Sequence, residues 1–166
     1  MVRVDIETIV MAAGPVPSLI VLRERCSKSD LPAPLRSLSI QTGSFEAAAI
    51  SRGIDSGRAE RPITHDLLLD TVDALGAKLE RIEIVRAEPP VFYATIVVLA
   101  DGEERKIDAR PSDAIALAVR SNAPMFVEDD IMNRLGTLST HAEEVDDEQE
   151  FEKFDEFVHT LSPDDF

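Results

Sequence analysis

The chain has 166 residues, about one domain's worth, with a formal net charge of −15, a single cysteine, no tryptophan and one tyrosine. One cysteine, Cys26, excludes an intrachain disulfide and fits a reducing compartment; its Ser-Lys-Ser surroundings predict an inert thiol. Nowhere do about eighteen apolar residues run together, and the first ten residues lack a signal-peptide pattern, so no membrane partner and a cytoplasmic location are expected.

The charge is uneven. Residues 143–166 carry eleven acids against one base, and residues 1–142 carry twenty-one acids against sixteen bases. The body therefore has no basic surplus to attract nucleic acid. Such attraction would need a local patch or a bound cation.

Alternation of Val4, Ile6 and Ile9 with polar residues predicts a strand over 3–12. Ala-Gly-Pro-Val-Pro, 13–17, is turn chemistry, and Leu19 to Leu22 completes a hairpin. Residues 25–36 read as a loop and Ser37 to Gln41 as a short third strand. Gly43-Ser-Phe-Glu-Ala-Ala-Ala-Ile starts a helix with Phe45 and Ala49 on one face. After a loop over 53–63, Thr64 is the expected N-cap of a second helix. Asp66 lies in its first turn, Leu68, Val72 and Leu75 follow at helical spacing, and Gly76 stops it.

The second half repeats the plan. Leu79 to Val85 and Val91 to Leu99 are strands around a Glu-Pro-Pro turn. Asp101-Gly102 is a tight-turn signal before a strand over Glu104 to Ala109. Pro111 suits the first position of a helix to about Ser121. Pro124 to Val127 reads as a short extended piece, and a last helix covers about 128–135 before Gly136. Ile40-x-x-Gly43-Ser-Phe-Glu46-Ala matches Ile107-x-x-Arg110-Pro-Ser-Asp113-Ala at an offset of 67 residues, which suggests an internal duplication. The expected fold is α+β: two β3α2 repeats forming one curved, barrel-like, mostly antiparallel sheet with helices packed around it. The domain is expected over 1–138. An acidic tail, 139–166, carries Phe151, Phe154, Phe157 and Val158 at the spacing of an amphipathic helix, suited to docking on the body or on a second subunit.

Reactive side chains concentrate at Arg61-Pro-Ile-Thr-His65-Asp66 and Asp108-Ala-Arg110-Pro-Ser-Asp113. Helix N-termini offer free N–H groups to anions such as phosphate. His65 is a candidate general acid or base. Asp66, Asp108, Asp113 and Glu46 are candidate catalytic carboxylates, and oxygen ligands of this kind suit Mg²⁺ or Mn²⁺. The metal candidates are Asp108, Asp113 and Glu46. Arg61 and Arg110 are candidate phosphate-gripping residues. Each residue also has a plain structural reading: Glu46 and Asp113 as helix N-terminal acids, Asp108 and Arg110 as an ion pair, Thr64 as a cap. There is no Gly-rich phosphate loop, no Cys/His metal spacing and no serine nucleophile elbow.

These segments carry a resemblance. Gly43-x-x-Glu46-Ala-x-Ala-Ile50, Arg61-Pro-x-Thr-His-Asp-Leu67, Val91-Phe-Tyr-Ala94, Asp108-Ala-Arg-Pro-Ser-Asp-Ala114 and Ala123-Pro-Met-Phe-Val127 resemble the bifunctional nuclease family in order and spacing. The ending Leu161-Ser-Pro-Asp-Asp-Phe166 looks like that of actinobacterial members. Gln41-Thr42 departs from the Trp-Ile often found there. The resemblance implies hydrolysis of RNA and DNA phosphodiesters, with nucleic acid as substrate. A divalent cation and a homo-oligomer such as a dimer join that expectation. The competing expectation is a non-enzymatic, regulatory anion- or protein-binding module.

Overall fold

A computed structural model describes residues 1–13, 15–25, 35–55 and 61–138. Cys26 and the tail with its phenylalanines lie outside the described residues. The first half supplies β1 (Val2–Val10), β2 (Ser18–Glu24), β3 (Arg36–Thr42), α1 (Ser44–Ile54) and α2 (Thr64–Ala74). The second supplies β4 (Lys78–Glu88), β5 (Val91–Ala100), β6 (Glu103–Ala109), α3 (Pro111–Ser121), β7 (Met125–Val127), α4 (Asp129–Leu135) and β8 (Thr137–Leu138).

The expected α+β architecture is present. Among the described residues eight strands form one sheet in the order β6-β5-β4-β7-β1-β2-β3-β8. Each half is an antiparallel meander, as short turns require. The sheet is open, with β6 and β8 at its edges. Bulges at Ile6/Thr8 in β1, and at Leu79/Arg81 and Ile84/Arg86 in β4, bend these long strands.

The extended piece 124–127 is the joint of the molecule. β7 pairs antiparallel with β1 (Val4 opposite Met125) and parallel with β4 (Ile82 opposite Met125), so three residues weld the two meanders together. Met125 and Val127 are buried beside Val4, Ile82 and Ile84.

The duplication is exact in one respect. β3 and β6 start at 36 and 103 and end at 42 and 109, while α1 and α3 start at 44 and 111 and end at 54 and 121. Every boundary is displaced by the same 67 residues. The two helices occupy different environments, however. α3 buries Pro111, Ser112, Ala114, Ile115, Ala116, Leu117 and Ala118, and so is enclosed on most sides. α1 buries only Ala47 and Ile50. Phe45, on the same face of α1 as Ala49, is 88% exposed. α2 buries no residue fully; its Leu69 and Val72 lean on the core. Among the described residues no helix is long and apolar enough to cross a membrane.

Candidate functional site

Three helices begin at one place. At the α3 start, Arg110 is the N-cap, with extended backbone (φ −69°, ψ 146°), Pro111 at N1 and Asp113 in the first turn. At the α1 start, Gly43 is the N-cap and Glu46 lies in the first turn. Gly43 has no side chain and Arg110 makes no cap hydrogen bond, so no cap side chain fills the first-turn backbone N–H groups of either helix.

The duplication brings these starts together around one guanidinium. Arg110 donates Nε–H to Asp113 Oδ2 at 2.7 Å and Nη2–H to Asp113 Oδ1 at 3.1 Å. Its Nη1–H reaches Glu46 Oε1 at 3.2 Å, across 64 residues of sequence. Glu46 and Asp113, the matching acids of the two repeats, thus flank the same cation. A guanidinium has five N–H donors. These three bonds leave two, on a side chain that is 65% exposed.

α2 adds His65. Its Nε2 lies 3.4 Å from Asp113 Oδ1, longer than an ordinary N–H···O bond. The imidazole is largely covered, with 16% of the side chain exposed. Arg110, through its hydrogen bonds and then its charge, holds the Asp113 carboxyl below the usual carboxylate range, and His65 adds to the effect. In return, Asp113 raises Arg110.

The remaining candidates divide. Asp66 faces inward. It accepts Ile63 N–H at 3.0 Å and Arg120 Nε–H at 2.8 Å. That first bond explains why Ile63, not the expected Thr64, is the N-cap of α2: the carboxylate at the third helical position satisfies the cap backbone. Asp108 lies on β6 opposite Thr95, is exposed, and does not form the expected pair with Arg110, which turns away into the helix start. Arg61 is exposed two residues ahead of the α2 cap.

Arg120 is the residue sequence reading misses. Besides Asp66 it donates to Ala116 O at 2.8 Å and Ala49 O at 2.9 Å, so one fork ties α1, α2 and α3. Only 8% of its side chain is exposed. The available signal was a charged residue following the wholly apolar run Ala114 to Val119. Gly53 permits this closeness: a Cβ there would stand 2.6 Å from Val119 Cγ2 and 2.7 Å from Arg120 Nη1.

Among the described residues no group of three or more His, Cys, Asp or Glu is arranged to hold a metal ion. The donor set does not fit a divalent cation, because the Arg110 guanidinium bridges Glu46 and Asp113 where such an ion would bind both.

The chain is similar to known proteins over most of its length. Proteins from two strains of Mycobacterium tuberculosis, each named only as an uncharacterized protein, are 38% identical to the chain over 136 residues, covering 79% of it and 81% of their own length. The family model for the bifunctional nuclease domain matches residues 28–139, from ahead of β3 to just past β8. The chain belongs to the bifunctional nuclease domain family.

Proposed function

We propose that the protein hydrolyses phosphodiester bonds of RNA and DNA at the junction of the α1, α2 and α3 starts. The observation that carries this is the Arg110 guanidinium, fixed by two carboxylates on one side and open on the other, beside an imidazole-carboxylate pair. Family membership supplies the reaction class.

In this reading the two remaining Arg110 N–H groups grip non-bridging phosphate oxygens and stabilise the charge that grows on them. First-turn backbone N–H groups of α1 and α3, which no cap side chain fills, add to that field. Asp113 orients His65 through Nε2, leaving Nδ1 to take the proton of the attacking water as its oxygen bonds phosphorus. The bond from phosphorus to the leaving oxygen breaks, and that oxygen collects a proton from solvent. With His65 neutral the Arg110, Glu46 and Asp113 charges sum to −1. Arg61, exposed two residues ahead of the α2 cap, adds a positive charge at the start of that helix. The expected Mg²⁺ or Mn²⁺ has no step here, since the carboxylates are committed to Arg110.

The test is cleavage of labelled RNA and DNA by protein purified without a nuclease background, with and without EDTA. His65→Ala should lose about 10²- to 10⁴-fold in rate, the worth of general acid–base catalysis. Equal cleavage by wild type and His65→Ala would refute the assignment. Binding without cleavage would favour the anion-binding module, a reading supported by the same observation that Glu46 and Asp113 are already salt-bridged.

A further inference from the structure

Four aromatic side chains fall among the described residues: Phe45, Phe92, Tyr93 and Phe126. Three are partly buried, and Tyr93 is covered by the Arg86 guanidinium 3.7 Å from its ring centroid. Phe45 stands out at 88% exposure. It occupies the second position of α1, immediately before Glu46, whose carboxylate touches Arg110. Folding alone gives no reason for this choice. The core-facing positions of the helix are Ala47 and Ile50, and a phenylalanine in water forgoes its burial.

The segment that leads into Phe45 also walls a cavity. It is a shallow, largely open depression of about 500 Å³, lined by Pro15, Pro17, Gln41, Thr42, Ser44 and Pro90, among others. Among its lining residues Gln41, Thr42 and Ser44 carry side chains able to bond a base edge.

We propose that the α1 start is a subsite for an unpaired nucleobase, with Phe45 as its stacking platform and the cavity lined by Gln41 and Ser44 taking the base edge. This rests on the phosphodiester reading and narrows its substrate to single-stranded nucleic acid. An exposed ring beside a guanidinium is the pairing that single strands use: the base stacks while the cation holds the phosphate. A duplex keeps its base faces covered and offers only the phosphate. Stacking ignores the sugar, so the subsite admits both RNA and DNA.

The chain has no tryptophan, so Phe45→Trp installs a sole indole reporter. The experiment titrates wild type, Phe45→Ala, Phe45→Leu and Phe45→Trp with a fluorescein-labelled single strand and with the same sequence as duplex. Single strand should bind more tightly than duplex. Phe45→Ala and Phe45→Leu should each weaken single-strand binding about 10- to 100-fold, the range for one stacked base, with little change for duplex. Phe45→Trp should retain affinity, and its emission should be quenched on binding. The inference is overturned if Phe45→Ala binds single strands like wild type, or if indole emission ignores the oligonucleotide. It is also overturned if Phe45→Ala changes only the molecular mass by light scattering, which would make the ring a subunit contact. In each case cleavage that still depends on His65 leaves the phosphodiester reading standing. Wild type that neither binds nor cleaves would overturn both.

Discussion

Arg120 gives the sharpest test of how the site is held. Replacing it by Met keeps most of the stem and removes the fork. Three charge-assisted bonds go, to Asp66, Ala116 and Ala49, from a side chain only 8% exposed. Breaking one side of a buried ion pair costs about 3–5 kcal/mol. Asp66 is 14% exposed and keeps the Ile63 N–H, which places the loss near the lower end, about 3 kcal/mol. A domain of this size loses about 2–4 °C per kcal/mol, so thermal unfolding followed by circular dichroism should shift down by about 6–12 °C. α2 has no fully buried side chain, so the loss should concentrate there. Its amides should exchange with deuterium faster, while those of the enclosed α3 keep their protection. Pairing Arg120→Met with Asp66→Leu removes both charges and should recover much of the loss, since an apolar replacement of a whole buried pair is near neutral. A single variant within about 0.5 kcal/mol of wild type, or a double variant whose loss equals the sum of the singles, would refute the reasoning.

Gly53→Ala should destabilise by about 1–3 kcal/mol in urea unfolding, because its Cβ would overlap Val119 and the Arg120 head. Asp113→Asn removes the charge that fixes Arg110 and faces His65, so kcat/KM on a labelled single strand should fall at least about tenfold with the circular dichroism spectrum unchanged; undiminished turnover would remove Asp113 from the mechanism. Asp113 and Glu24 titrate below their ordinary values when folded, owing to Arg110 and Arg36 respectively. The stability they contribute is complete above the unfolded carboxylate pKa of about 4 and is lost as pH falls through the lower folded values. Acid unfolding curves of Asp113→Asn should therefore be flatter below about pH 4 than those of wild type. Glu83, 3% exposed and bonded to Arg81 Nε at 2.7 Å, should cost about 1–3 kcal/mol in thermal melts when changed to Ala, as Arg81 loses a buried partner.

Much of this molecule is written locally. Alternation marks β1, β-forming apolar runs mark β2 and β5, Pro111 marks the first position of α3, and Gly76 (φ +74°) marks the stop after α2. Such signals act within a few residues, where backbone preference and side-chain period decide the outcome. The offset of 67 residues was likewise legible as a repeated string and reappears in four shared element boundaries. Two features lay beyond local reading. Residues 125–127 look like a minor extended piece, yet their position depends on pairing with residues 2–4 of β1 and 82–84 of β4, segments distant along the chain. The candidate acids look equivalent along the chain. Folding sends Asp66 inward to Arg120, leaves Asp108 on an edge strand, and gathers Glu46, His65 and Asp113 around Arg110 across separations of 64 and 48 residues. The sequence by itself determined the elements, the repeat and the stock of reactive groups. Only the tertiary structure decided which groups meet, because a charge finds its partner through the packing of helices and not through its neighbours in the chain.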